Sequence, residues 1–191
     1  MARISKEPEV RKQEIIDTAM KLFTQKGYEN TSIQDIAKEM NVVSGLCYRY
    51  FSSKQEIFYT AMEQYVKAYC KPFIEIFTKP DLNLRSRLSQ FWDIARRADT
   101  IAIHSNLLHQ KGYEMIHDDL TIRICRTLIP YVRDELLNAN KNGEISVINV
   151  DFAAEFIMYG TIALWECSTV EFEQKLEATN DFLESVLKLV P

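Results

Sequence analysis

One short stretch of the chain gathers side chains suited to contact with a polyanion: Ser44 and Gly45, then Tyr48, Arg49 and Tyr50, and finally Lys54. Hydroxyls and an ammonium can hydrogen-bond phosphate oxygens, a guanidinium can grip the guanine edge, and a residue without a side chain lets another backbone come close. That is the chemistry of duplex DNA recognition. Thr31 and Ser32 stand upstream, and Thr31 with Gln34 three residues on forms the capping box that opens a helix.

Other groupings carry less chemistry. His104, His109 and His117 do not share one helical face, and no cysteine joins them, so no metal is expected and a local hydrogen-bonding role is the better reading. Cys47, Cys70, Cys125 and Cys167 lie tens of residues apart without a CxxC pair and read as small buried hydrophobes in a reducing compartment. There is no Gly-rich phosphate loop, HExxH or GxSxG, so neither catalysis nor a cofactor is expected.

These residues must be held by helices. Apolar residues recur at helical spacing almost throughout and period-two alternation is nearly absent, which predicts an all-α protein. Ile15, Ile16, Ala19, Leu22 and Phe23 stripe a first helix that Gly27 should end in a left-handed cap. A short second helix carries Ile33, Ile36, Ala37 and Met40, and a third runs from Ser44 to Phe51. Ser53 and Glu56 open a long fourth helix in which Pro72 should cause a kink or an end. Helices follow around Leu84–Ala95, Ile101–Gln110 and Leu120–Leu136, the last bending at Pro130. Of the final two, one puts Phe156, Gly160 and Ala163 on its apolar face. The other, opened by Ser168 and Glu171, steps through Phe172, Leu176, Thr179, Leu183, Val186 and Val190 in alternating fours and threes, the seam of a helix packed along another helix. We read Phe156, Gly160, Ala163, Leu176, Thr179, Leu183 and Val186 as a homodimer interface in preference to an intrachain core.

With 191 residues, 47% of them hydrophobic, and only five Gly and five Pro, the chain is neither disordered nor fibrous. Its longest apolar run, Phe156 to Trp165, is about half of the ~20 residues a membrane span needs, and no basic-then-apolar leader opens it. A soluble, cytoplasmic protein is expected. The net charge of −4 seems to oppose a nucleic-acid partner, but residues 1–60 hold nine Lys/Arg against eight Asp/Glu, and the acidity belongs to the remainder.

Short helix, turn, short helix over residues 32–51 is the geometry that sets a second helix in a major groove. Residues 11–57 resemble, in order and spacing, the N-terminal domain of the TetR family of transcriptional regulators: Ile15, Ala19, Leu22, Phe23, Gly27, Tyr28, Thr31, Ser32, Ile33, Ile36, Ala37, Val42, Gly45, Tyr48, Tyr50, Phe51, Ser53 and Lys54 carry the match. The resemblance implies an N-terminal three-helix helix-turn-helix domain, here residues 1–55, and a C-terminal helical ligand-binding and dimerisation domain, here 56–191, with about nine helices in all. It further implies phosphate contacts from Thr31 or Ser32, Tyr48, Tyr50 and Lys54, and base or groove contacts from Ser44, Gly45 and Arg49. The family usually has Ser at the position of Val43; we expect Ser44 to supply the helix cap that Val43 cannot.

By the same resemblance the protein is a DNA-binding regulator, in the usual case a repressor, which grips a palindromic operator as a homodimer and is released by a small-molecule effector. Tyr65, Tyr69, Phe91, Trp92, Tyr113, Tyr159 and Trp165 could line an apolar effector pocket, with Glu114, Glu155 and Glu166 among them. A helical dimeric adaptor and an all-α enzyme are the alternatives.

Overall fold

The computed structural model describes residues 7–79, 82–99, 114–166 and 169–188, and among these residues every regular element is an α-helix. In chain order they are α1 (Pro8–Lys26), α2 (Ile33–Glu39), α3 (Ser44–Tyr50), α4 (Lys54–Thr78), α5 (Leu84–Asp99), α6 (Glu114–Lys141), α7 (Val150–Glu166) and α8 (Phe172–Leu187). The all-α expectation holds. The helix expected over 101–110, with His104 and His109, lies outside the described residues, as do Cys167 and the His117 side chain. The chain divides into two compact units, residues 1–67 and 68–191, and the division falls inside α4.

In the first unit α1 buries Ile15, Ile16, Ala19, Leu22 and Phe23, the stripe its spacing requires. The helix stops at Gly27, whose φ of +87° suits glycine; its ψ of 152° is extended, so the expected left-handed helical cap is not what forms. Phe23, Tyr28 and Phe58 pack in tilted and edge-to-face contacts within this unit, with centroids 5.1 to 6.0 Å apart. Asn41 takes a φ of +54° in the turn between α2 and α3, a conformation that asparagine tolerates better than most residues.

The cap of α2 sits one residue beyond the expected pair, and at α4 half of the expected box forms. The N-cap of α2 is Ser32: its Oγ accepts from the Asp35 amide at 3.1 Å, while the Asp35 carboxylate accepts from the Ser32 amide at 2.9 Å. The pair Thr31-Ser32 offers the capping pattern in two registers, and burial of Thr31 selects the second. At α4, Ser53 Oγ accepts from the Glu56 amide at 3.1 Å, but the Glu56 carboxylate reaches back to Ser52 rather than to Ser53.

In the second unit α5, α6, α7 and α8 surround a core of Leu84, Trp92, Leu136, Ala139, Ile145, Val150, Ala153, Ala154, Ile157, Leu183 and Leu187. Neither proline ends its helix: α4 continues past Pro72 to Thr78 and α6 past Pro130 to Lys141. Each removes one intrahelical donor, a loss these long helices absorb. The α6–α7 connection is held by Asn140, whose side-chain amide donates to the Val147 carbonyl and accepts from the Val147 amide, at 3.1 and 3.0 Å. α8 opens at Phe172 with Glu171 as an N-cap that makes no side-chain bond, so the capping pair expected from Ser168 and Glu171 does not start it; Ser168 itself lies outside the described residues.

Candidate nucleic-acid interface

α3 has two unlike sides. Cys47 and the following Phe51 point into the first unit and are buried, which anchors the helix. Gly45, Tyr48 and Arg49, spaced three and four apart, lie on the outer side and are exposed. The Arg49 guanidinium carbon sits 5.7 Å from the centroid of the half-buried Tyr50 ring, an arrangement that limits the wandering of a long side chain. Lys54 begins α4; its ammonium donates to the Tyr28 carbonyl at 2.8 Å and lies 4.2 Å from the centre of the Tyr28 ring. The lysine therefore ties the start of α4 to the α1–α2 loop, with further ammonium protons to spare.

Two sequence expectations fail here. Thr31 is 2% exposed and its hydroxyl donates to the Gly27 carbonyl at 2.9 Å, so its side chain serves the fold and not a phosphate. Of the alternatives Thr31 or Ser32, only the half-buried Ser32 stands near the surface, with its hydroxyl engaged by Asp35 at 2.6 Å. Those Ser32 donors hold the Asp35 carboxyl below the usual carboxylate range. Nor does Ser44 cap α3. The N-cap is Val43, which makes no side-chain cap, and Ser44 is already the first helical residue, a turn position from which its hydroxyl does not replace a cap. Val43 is 74% exposed, an apolar side chain standing in solvent.

Of the aromatic residues expected to line an effector pocket, Tyr69, Phe91 and Trp92 lie in the described part of the second unit. Tyr69, Phe73, Phe91 and Trp92 form a chain of ring contacts with centroids 4.8 to 5.3 Å apart. Tyr65 is half-buried and belongs to the first unit; Tyr159 is exposed; Tyr113 and the side chains of Trp165, Glu114 and Glu166 lie outside the described residues. Glu155 is exposed. A cavity of about 410 Å³ opens between α5 and α8, with Leu88, Trp92, Leu176 and Leu183 as its apolar wall and Arg85, Asp93, Arg96 and Glu184 at its rim. Trp92 Nε1 donates to Asn180 Oδ1 across it at 2.9 Å.

The seam on α8 also needs correction. Thr179 and Leu183 are buried and Leu176 packs against the core, so these three belong to the intrachain core rather than to an interface. Alternating steps of three and four show that a helix packs on a helix, not which one; the chain's own α5 and α7 occupy that stripe. Phe156, Gly160, Ala163 and Val186 are exposed, together with Phe152, Tyr159 and Phe182, on α7 and α8. A side chain added at Gly160 would meet open space.

Among the described residues no helix is long and apolar enough to cross a membrane, and no group of three or more His, Cys, Asp or Glu could hold a metal ion.

Comparison with known proteins agrees with this layout. An uncharacterized HTH-type transcriptional regulator of Bacillus subtilis (strain 168), YuxN, is 32% identical over 120 residues, 63% of this chain and 36% of its own length. The biofilm operon icaADBC HTH-type negative transcriptional regulator IcaR of Staphylococcus aureus (strain Newman) is 45% identical over 56 residues, 29% of this chain and 28% of its own length. The matched chain thus spans about a third or less of these curated relatives. The crystal structure of RolR in complex with resorcinol shares the fold over 93% of this chain and 88% of its own, with a TM-score of 0.62 at 20% identity. Residues 15–60, which hold the α1 stripe, the Ser32 cap and the outer side of α3, match the family described as bacterial regulatory proteins, tetR family.

Proposed function

We propose that the protein is a transcriptional regulator that binds duplex DNA through residues 1–55 and dimerises and senses a small molecule through residues 56–191. The observation that carries this reading is the outer side of α3, where Gly45, Tyr48 and Arg49 are exposed on a helix whose inner side is locked by Cys47. Arg49 takes a base edge, preferably guanine, and Tyr48, Tyr50 and Lys54 position the domain on phosphates. Ser44 and Ser32 lie beside this surface and contribute at its margin. Repression is the mode of action, as the name of IcaR states for that relative.

The weak positive charge of the first sixty residues is no obstacle. A homodimer doubles the phosphate contacts, and recognition helices about 34 to 36 Å apart read two halves of a palindrome. The exposed apolar face of α7 and α8 supports that dimer, since a contiguous patch of phenylalanines in water marks an interaction surface. RolR holds resorcinol; for this chain an effector of amphiphilic character fits the α5–α8 cavity, with its tryptophan wall and arginine rim. Operator binding places the protein in the cytoplasm.

Selection from random duplex DNA, followed by gel shift across a salt series, tests the reading. A palindromic site bound with steep salt dependence is expected. Absence of salt-sensitive binding to any duplex would instead favour the helical adaptor.

A further inference from the structure

We infer that Val43 reads the operator directly, its isopropyl group taking the C5 methyl of a thymine in the major groove. The inference rests on the DNA-binding reading and adds the class of base at one position of each half-site. Val43 is an apolar side chain left 74% exposed beside the exposed face of α3, and it supplies no cap to that helix. Serine, threonine, aspartate or asparagine at such a position would stabilise α3, so neither burial nor capping accounts for valine. Gly45 repeats the pattern. Its backbone is not in the positive-φ region and a Cβ there would meet nothing within 4 Å, so the fold does not require glycine either.

At two exposed positions around Ser44 the chain thus forgoes helix stability for shape: a methyl-bearing projection at 43 and a recess at 45. Among base edges in the major groove, only thymine offers an apolar group, and apolar side chains are its ordinary partners. The recess lets the base-pair edge approach without collision, while Arg49, one turn further on the same side, remains free for a polar edge.

The experiment uses the full chain and its selected operator, with each thymine replaced in turn by uracil, which removes only the methyl group. For the native protein, uracil at one position per half-site should weaken binding about fourfold, the effect of one methyl group leaving an apolar contact. For Val43→Ala that penalty should vanish, with the melting temperature unchanged because alanine is as poor a cap as valine. Retention of the uracil penalty at every thymine in Val43→Ala, or no sensitive thymine in the native protein, would overturn the inference while leaving DNA binding intact. Failure of the native protein to bind any duplex would overturn the DNA-binding reading itself, and is recognised before uracil is introduced.

Discussion

The rings of Phe156 on α7 and Phe182 on α8 lie 5.7 Å apart, yet both residues face outward, and Phe152 stacks on Phe156 at 6.1 Å. The two helices pack against each other through one side and present a second, aromatic side. Phe156→Glu should therefore convert a dimer to a folded monomer, read by sedimentation with the helical circular dichroism retained. Leu183→Ala, in the core of the same helix pair, should instead lower the stability of the chain by roughly 2 to 5 kcal/mol. An unchanged association state in Phe156→Glu would locate the interface elsewhere.

Gly45→Ala separates folding from function. A methyl group at 45 meets open space, so the helix should gain up to about 1 kcal/mol while operator affinity falls by an order of magnitude or more. Chemical denaturation and gel shift on the same preparation check both halves. Equal affinity would remove close approach as the reason for this glycine.

The caps of α2 and α4 tie the first unit to pH. Asp35 and Glu56 are both held below their ordinary carboxylate values by hydrogen bonds from Ser32 and Ser52. A depressed folded value means that their contribution is present above the unfolded values and lost as acid protonates them, here below about pH 4. Ser32→Ala should cost about 1 kcal/mol near neutrality through the lost cap. Its difference from the native protein should shrink in melts taken at progressively lower pH; a gap independent of pH would count against the Ser32–Asp35 link.

Arg87 fastens three elements of the second unit. Its guanidinium donates to the carbonyls of Ile76, at the end of α4, and Lys79, the latter at 2.8 Å, and pairs with Glu135 of α6 at 2.9 Å. The Nε–H is not aligned on that carboxylate, so the pairing is chiefly one of charge. Arg87→Met leaves the half-buried Glu135 carboxylate uncompensated, with an expected loss of up to about 3 kcal/mol, most of it restored in Arg87→Met/Glu135→Met. Burial pushes the Glu135 carboxyl up, with Glu144 adding to the effect. A raised folded value means the folded state binds the extra proton, so the single variant should regain stability as pH falls toward that value. Denaturant titrations of the three proteins across pH decide it.

Helix type, the α2–α3 pair and the outward set Gly45, Tyr48 and Arg49 are determined by the sequence alone, because apolar spacing, capping residues and glycine breaks act within a few positions of one another. Tertiary structure decided what local rules leave degenerate. Thr31 and Ser32 both fit a capping box, and only the burial of Thr31 under α1 chose between them. Leu176, Thr179 and Leu183 spell a seam for any partner helix, and the proximity of α5 and α7 claimed it for the chain itself, turning Phe182 and Val186 outward. Periodicity records that a face is buried; which surface buries it depends on contacts between residues far apart in sequence.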